Sequence, residues 1–213
     1  MSIYVDNFDA VRPLLEFDDD DHYYFIEIVL RRKDFPEGER VKDHITLNSY
    51  FVTSAEMFDK LEPEIKALCH TRNARAYINL DRKPLKKTAL LLMQACLDMV
   101  ENDDYHKLFS RMDSAAGKCP GDKSHKLFIV DLDIRNEESR EEATKMSMDA
   151  LTSCSVKVDV KVLLPTPNGV HIVTAPFDQR AALWRSVALY GAEIFEIKHN
   201  SPTVLYYGGS DED

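Results

Sequence analysis

Two aspartates two residues apart, Asp131 and Asp133, close the apolar run Leu127–Val130 in the segment KLFIVDLDIR. In a strand successive side chains point to opposite faces, so both carboxylates project from one face while Leu132 turns into the core. Like charges held side by side raise each other's pKa, so the pair calls for a shared proton or a cation. Hard Mg²⁺ or Mn²⁺ suits an all-oxygen donor set, and a divalent-metal site is the chemistry these residues offer. The alternative gives one aspartate to capping the helix expected after Asn136 and leaves the other in solvent.

Later segments carry partners for such a site. His171 follows the small-residue turn in TPNGVHI, and Glu196 falls in a late strand-like stretch. Nucleotidyl transfer uses carboxylates that hold metal across the α-phosphate. A histidine on a neighbouring strand can donate to a phosphate oxygen, and cations such as Lys161, Lys198, Arg75 or Arg82 can neutralise triphosphate charge. Each has a plainer reading too: His171 as a hydrogen-bonded core residue, Arg75 and Arg82 as solvated strand ends, Lys198 as part of a polar turn.

The elements that must position these residues follow from hydrophobic period. Tyr23–Arg31 and Ile45–Val52 read as a strand pair, and Ser54 caps a helix with Met57, Phe58, Leu61, Ile65 and Leu68 on one side. Pro63 is expected to kink that helix or start a new one. Ala74–Lys83 alternates as a half-exposed strand with cationic ends. Pro84 opens a long helix whose apolar face is Leu85, Ala89, Leu92, Met93, Cys96 and Val100. Residues 101–124 lack periodicity and read as a linker or as an excursion of the kind that separates half-domains or covers a site.

After the aspartate strand come a helix from Asn136, a hairpin of Ser155–Leu164 with Val170–Ala175, and a helix capped by Asp178 that carries Leu183, Trp184, Val187 and Tyr190. Strand-like Glu193–Ile197 and Thr203–Tyr207 end the series. The fold class is α+β, with antiparallel or mixed sheets backed by helices. Residues 1–124 form an N-terminal α/β half and 125–213 a second half with an acidic tail.

Composition narrows the function classes. The 213 residues are 44% apolar, enough for an ordinary core, and no apolar run approaches the ~18 residues of a membrane span. The first residues lack a signal-peptide pattern, so a cytoplasmic protein is expected. Cys69, Cys96, Cys119 and Cys154 stand alone, which points to reduced thiols rather than a zinc knuckle or disulfide frame. A net charge of −10 argues against sequence-independent nucleic-acid binding. Part of that charge is local, in Asp18–Asp21 and in Asp211, Glu212 and Asp213, and such runs read as solvated loops and tails.

The order of VDLD, then Gly169-Val170-His171, then an acid on a late strand resembles the archaeo-eukaryotic primase superfamily, whose palm carries hhhDhD, sxH and hD motifs. RAYINLDRK, PTPNGVHIVTAPFD and KHNSPTVLYY are similar to segments of primase-like proteins of phages and bacteria. The resemblance implies an RRM-like primase palm with an N-terminal α/β subdomain, acting as a nucleotidyltransferase in DNA replication. It implies Mg²⁺ or Mn²⁺ on Asp131, Asp133 and Glu196, with Asp131, Asp133 and His171 catalytic. It also implies nucleoside triphosphates as ligands, touched by His171, and a DNA or RNA template as partner. Glu196 stands where the family usually has Asp, Asn168-Gly169-Val170 replaces the usual Ser, and no zinc module is evident.

Two rivals differ in class. In a haloacid-dehalogenase-like phosphatase the same DxD would supply a nucleophile and an acid, but Arg135 takes the place usually held by Thr or Val. In a non-catalytic RRM-like module, Tyr77, Tyr206 and Tyr207 would stack bases, or the sheet would hold a nucleotide or a protein.

Overall fold

The computed structural model describes residues 4–32, 35, 44–133, 137–152, 158–178, 180, 195–199 and 202–209. The expected helix with Leu183, Trp184, Val187 and Tyr190, and the cap at Asn136, lie outside the described residues. The described chain is mixed α+β, with two antiparallel sheets and helices packed on them. No described helix is long and apolar enough to cross a membrane.

The first sheet contains β1 (Val5–Asp6), β2 (His22–Arg31), β3 (His44–Val52), β4 (Arg75–Asn79), β5 (Lys83–Pro84) and β10 (Pro202–Tyr207). Its order is β1-β10-β4-β2-β3, with β5 beside the start of β2. The second sheet contains β6 (Phe128–Asp133), β7 (Val160–Thr166), β8 (Gly169–Thr174) and β9 (Phe195–His199), in the order β7-β8-β6-β9. Consecutive strands β9 and β10 therefore belong to different sheets, and the chain changes layers between His199 and Pro202.

Branched and aromatic residues make β2 a buried central strand, as HYYFIEIVLR leads one to expect. Alternation sends Ile26 and Ile28 into the main core, beside Ala76 and Ile78 of β4. Helices α1 (Phe8–Val11) and α2 (Ala55–Arg72) contribute Phe8, Phe58, Ile65 and Cys69 to that core. Ile129, Leu164 and Val173 of the second sheet enter the same cluster, so the two sheets share one interior. The opposite face of the second sheet, with Val130, Leu132 and Ile172, packs on α5 (Glu137–Thr152) through Leu151 and Met148. Buried Asn7 ties the layers by donating to the carbonyls of Pro165 (2.9 Å) and Val204 (2.8 Å).

Several expectations change. Helix α2 runs through Pro63 as one element. Pro63 and Asp59 lie on its exposed side, where water can take up the carbonyl that proline leaves without a donor. Its start is as expected, the Ser54 hydroxyl accepting from Met57 N at 3.1 Å, and at its other end Asn73 adopts the left-handed conformation that closes the helix. β4 is buried on both faces rather than half-exposed, with Arg75 lying 4.6 Å from the centre of the Tyr207 ring.

Residues 105–118 are not a structureless connection. They form a 3₁₀ turn (Tyr105–Ser110) and α4 (Arg111–Lys118), whose Ala116 packs on Tyr23 and Phe25. Small residues do the burying there, so no large apolar period announces the helix. Helix α3 (Leu85–Glu101) is present, but it buries Thr88 and Met99, while Leu85, Ala89, Met93 and Val100 of the expected inner face are exposed.

β10 closes against α2. A Cβ on Gly208 would lie 2.6 Å from the His70 ring, whose Nε2 is hydrogen-bonded to the Tyr206 hydroxyl. His70 is exposed and its ring can swing aside at the cost of that bond. Gly208→Ala should therefore lower stability by about 1 kcal/mol, read as a shift in urea midpoint. In a His70→Ala background the same substitution should cost much less.

Candidate functional site

Strand pairing assembles the sequence-predicted residues. Asp131 is the cross-strand partner of His171 on β8 and of Glu196 on β9, so the three side chains share a face. Asp133, two residues on, shares it as well, pairs with Gly169 and is exposed. Lys198 is two residues beyond Glu196 and completes the group.

Asp131 is 7% exposed, and both its oxygens have partners. His171 Nε2 lies 3.1 Å from Oδ1, and the Lys198 ammonium bonds Oδ2. Burial alone would raise this carboxyl's pKa, but the bonds from His171 and Lys198 outweigh it and hold it at about 2. Lys198 is raised in turn: burial opposes its charge, and Asp131 and Glu196 more than restore it. An ionised carboxylate only accepts, so His171 Nε2 carries a proton. Its Nδ1 is 2.8 Å from Thr203 Oγ1 on β10, so the imidazole spans the two sheets.

Asp131 is thus favoured in its ionised form by the fold, and it stabilises the protein most above the ordinary carboxyl value of 3.8. That contribution, about 2 kcal/mol, should disappear as pH falls from about 4 toward 2. Unfolding curves at stepped pH check this. The wild type should lose more stability over that window than Asp131→Asn does.

These groups open on a cleft of about 350 Å³ whose opposite wall comes from the first sheet. Asp131, Asp133, His171 and Lys198 line one side; Arg31, Arg75 and Tyr77 line the other, with the Thr166–Asn168 turn at its edge. Arg31 donates to the Tyr77 hydroxyl at 2.9 Å, so the cationic wall is braced. The cleft is bipolar, acids facing cations.

As to a metal, the donors are hard oxygens on one face, which suits Mg²⁺ or Mn²⁺. A positive group already sits among them: the Lys198 ammonium bonds Asp131 and lies 3.4 Å from Glu196 Oε2. The donors do not bring three ligand atoms within 4.8 Å of one another. Among the described residues the one trio that does is Glu16, Asp18 and His125, elsewhere on the surface.

Two expected cations are placed differently. Arg82 does not line the cleft: it is buried among Asp18, Asp19 and Asp122, with Nη1 to Asp19 and Nη2 to Asp122 both at 3.4 Å. Part of the acidic run read as a solvated loop is thus its counter-charge. Lys161 pairs with Asp159 at 2.7 Å and also lies outside the cleft. Arg31 also lines the cleft, and its one local signal in the sequence is its place at the end of the first strand. Comparison with known protein families, curated proteins and solved structures finds no match to this chain.

Proposed function

We propose that this cleft binds a nucleoside triphosphate with a divalent metal and acts as a nucleotidyltransferase of primase-polymerase type. The observation that carries this reading is the bipolar cleft, with Asp131 and Asp133 on one sheet facing Arg31 and Arg75 on the other, while Glu196 shares the aspartates' face but does not line the cleft. A divalent cation held by Asp131 and Asp133 would neutralise phosphate charge and activate an attacking hydroxyl. Arg31 and Arg75 are forked donors suited to phosphate oxygens. Tyr77 offers a ring face for a base or sugar. His171 orients Asp131 and fixes the spacing of the two walls through Thr203. Lys198, when released from Asp131, is a further cation for the triphosphate.

The primase resemblance of the motif order points the same way. A second reading, a binding module without turnover, is favoured by one fact: both oxygens of Asp131 are already bonded within the protein. Calorimetry with Mn²⁺ and each nucleoside triphosphate separates the readings from no binding at all. Labelled nucleotide incorporation on primed and unprimed DNA and RNA separates them from each other. Metal-dependent triphosphate binding with incorporation is expected; binding without incorporation favours the module, and absence of both overturns each.

A further inference from the structure

We propose that the protein pairs with a second copy of itself through α3, the two helices running antiparallel about a two-fold axis level with residue 95. Leu90, Met93, Leu97 and Val100 are 57%, 62%, 63% and 57% exposed, on the side of α3 turned away from Thr88 and Met99. Their steps of three, four and three residues give the seam of a coiled coil, a pattern that a solvated helix does not need. The chain just past α3 adds Phe109, 97% exposed, as a large apolar anchor. None of these residues lines the cleft.

Charge identifies the occupant. Lys86 and Lys87 lie in the first turn of α3, Asp98 and Glu101 in its last, and Asp103 and Asp104 just beyond. That arrangement is the reverse of what the helix dipole favours, and it costs a few tenths of a kcal/mol per charge in an isolated helix. A second α3 laid antiparallel removes the conflict. With the axis at residue 95, Leu90 faces Val100 and Met93 faces Leu97, so the apolar stripe is self-complementary. Lys86 then comes beside Asp104, and Lys87 beside Glu101, at both ends of the pair. Parallel pairing would bring like charges together instead. At about 25 Å long, α3 carries the whole contact in both copies, from Lys86 at one end to Glu101 at the other.

Sedimentation equilibrium on the full chain between about 1 and 100 µM tests the pairing. A weight-average mass rising toward twice the 24.4 kDa of one chain is expected. Met93→Glu with Leu97→Glu should hold the mass at one chain with an unchanged circular dichroism spectrum, since both side chains are already exposed. A second pair of variants tests the geometry independently of those apolar positions. Lys86→Glu with Lys87→Glu, and separately Glu101→Lys with Asp104→Lys, should each weaken self-association at least tenfold at low salt. An equimolar mixture of the two should recover it, because every cross-copy contact is then again between opposite charges. In 1 M NaCl the difference between separate and mixed variants should vanish. A single-chain mass for the wild type over the whole range overturns the proposal. So does a dimer that Met93→Glu with Leu97→Glu leaves intact, or charge variants that mixing does not rescue.

Discussion

Asp131→Ala should destabilise the protein by about 3 kcal/mol, the lower part of the range for removing one member of a buried ion pair. The upper part does not apply, because the Lys198 side chain is about one-third exposed and can regain water. His171 cannot do so as easily: it is 8% exposed, and among the described residues its ring meets Thr203 besides Asp131. Losing the carboxylate thus leaves a buried N–H without its acceptor and opens a polar void between the sheets. Urea unfolding at neutral pH measures the loss. A cost below about 1 kcal/mol would mean that the triad of Asp131, His171 and Lys198 does not exist as described. A double-mutant cycle with Lys198→Met should return a coupling energy well above that of a surface pair.

Asp133→Ala should do the opposite, sparing stability and removing function. Its carboxylate is exposed and faces Gly169, so substitution should change stability by no more than about 0.5 kcal/mol. If the cleft holds metal as proposed, nucleotide incorporation should fall at least about a hundredfold, and the rise in melting temperature with Mn²⁺ should shrink toward zero. The pair of variants separates two jobs that adjacent aspartates could share. Asp131 holds the sheets together through its partners, and Asp133 offers the free ligand. Incorporation at wild-type rates by Asp133→Ala would remove it from the site.

The aspartate face was legible because alternation is local. The phase of VDLD, of GVHIVT and of FEIKH sets which side each residue takes, and TPNG fixes the hairpin that brings His171 opposite Asp131. Arg31 was not legible, since no local pattern tells that the first sheet's end will face the second sheet's aspartates. Arg82 misled for the same reason: its counter-charges Asp18 and Asp19 lie far away in sequence and looked like a solvated run. In α3 the difficulty was different. Apolar residues occur nearly all round the helix, so a 3.6 period could not choose between the side that packs and the side that remains exposed. The 105–118 segment was missed because its buried contacts are alanines.

The passage of the chain from β9 to β10 has a consequence for how the molecule forms. Among the described residues β1 is the first strand and pairs with β10 alone, and β4 has β10 as one of its two neighbours. The first sheet therefore cannot close until residues 202–207 are available, although most of its strands precede residue 85. During synthesis the early half must wait, with the backbone edge of β4 open, for the final strand to arrive. Such dependence on distant pairing slows folding and leaves the edge of β4 exposed meanwhile. It also makes these six residues the mark of a finished sheet, since a chain cut before them leaves β1 and one edge of β4 without their partner strand.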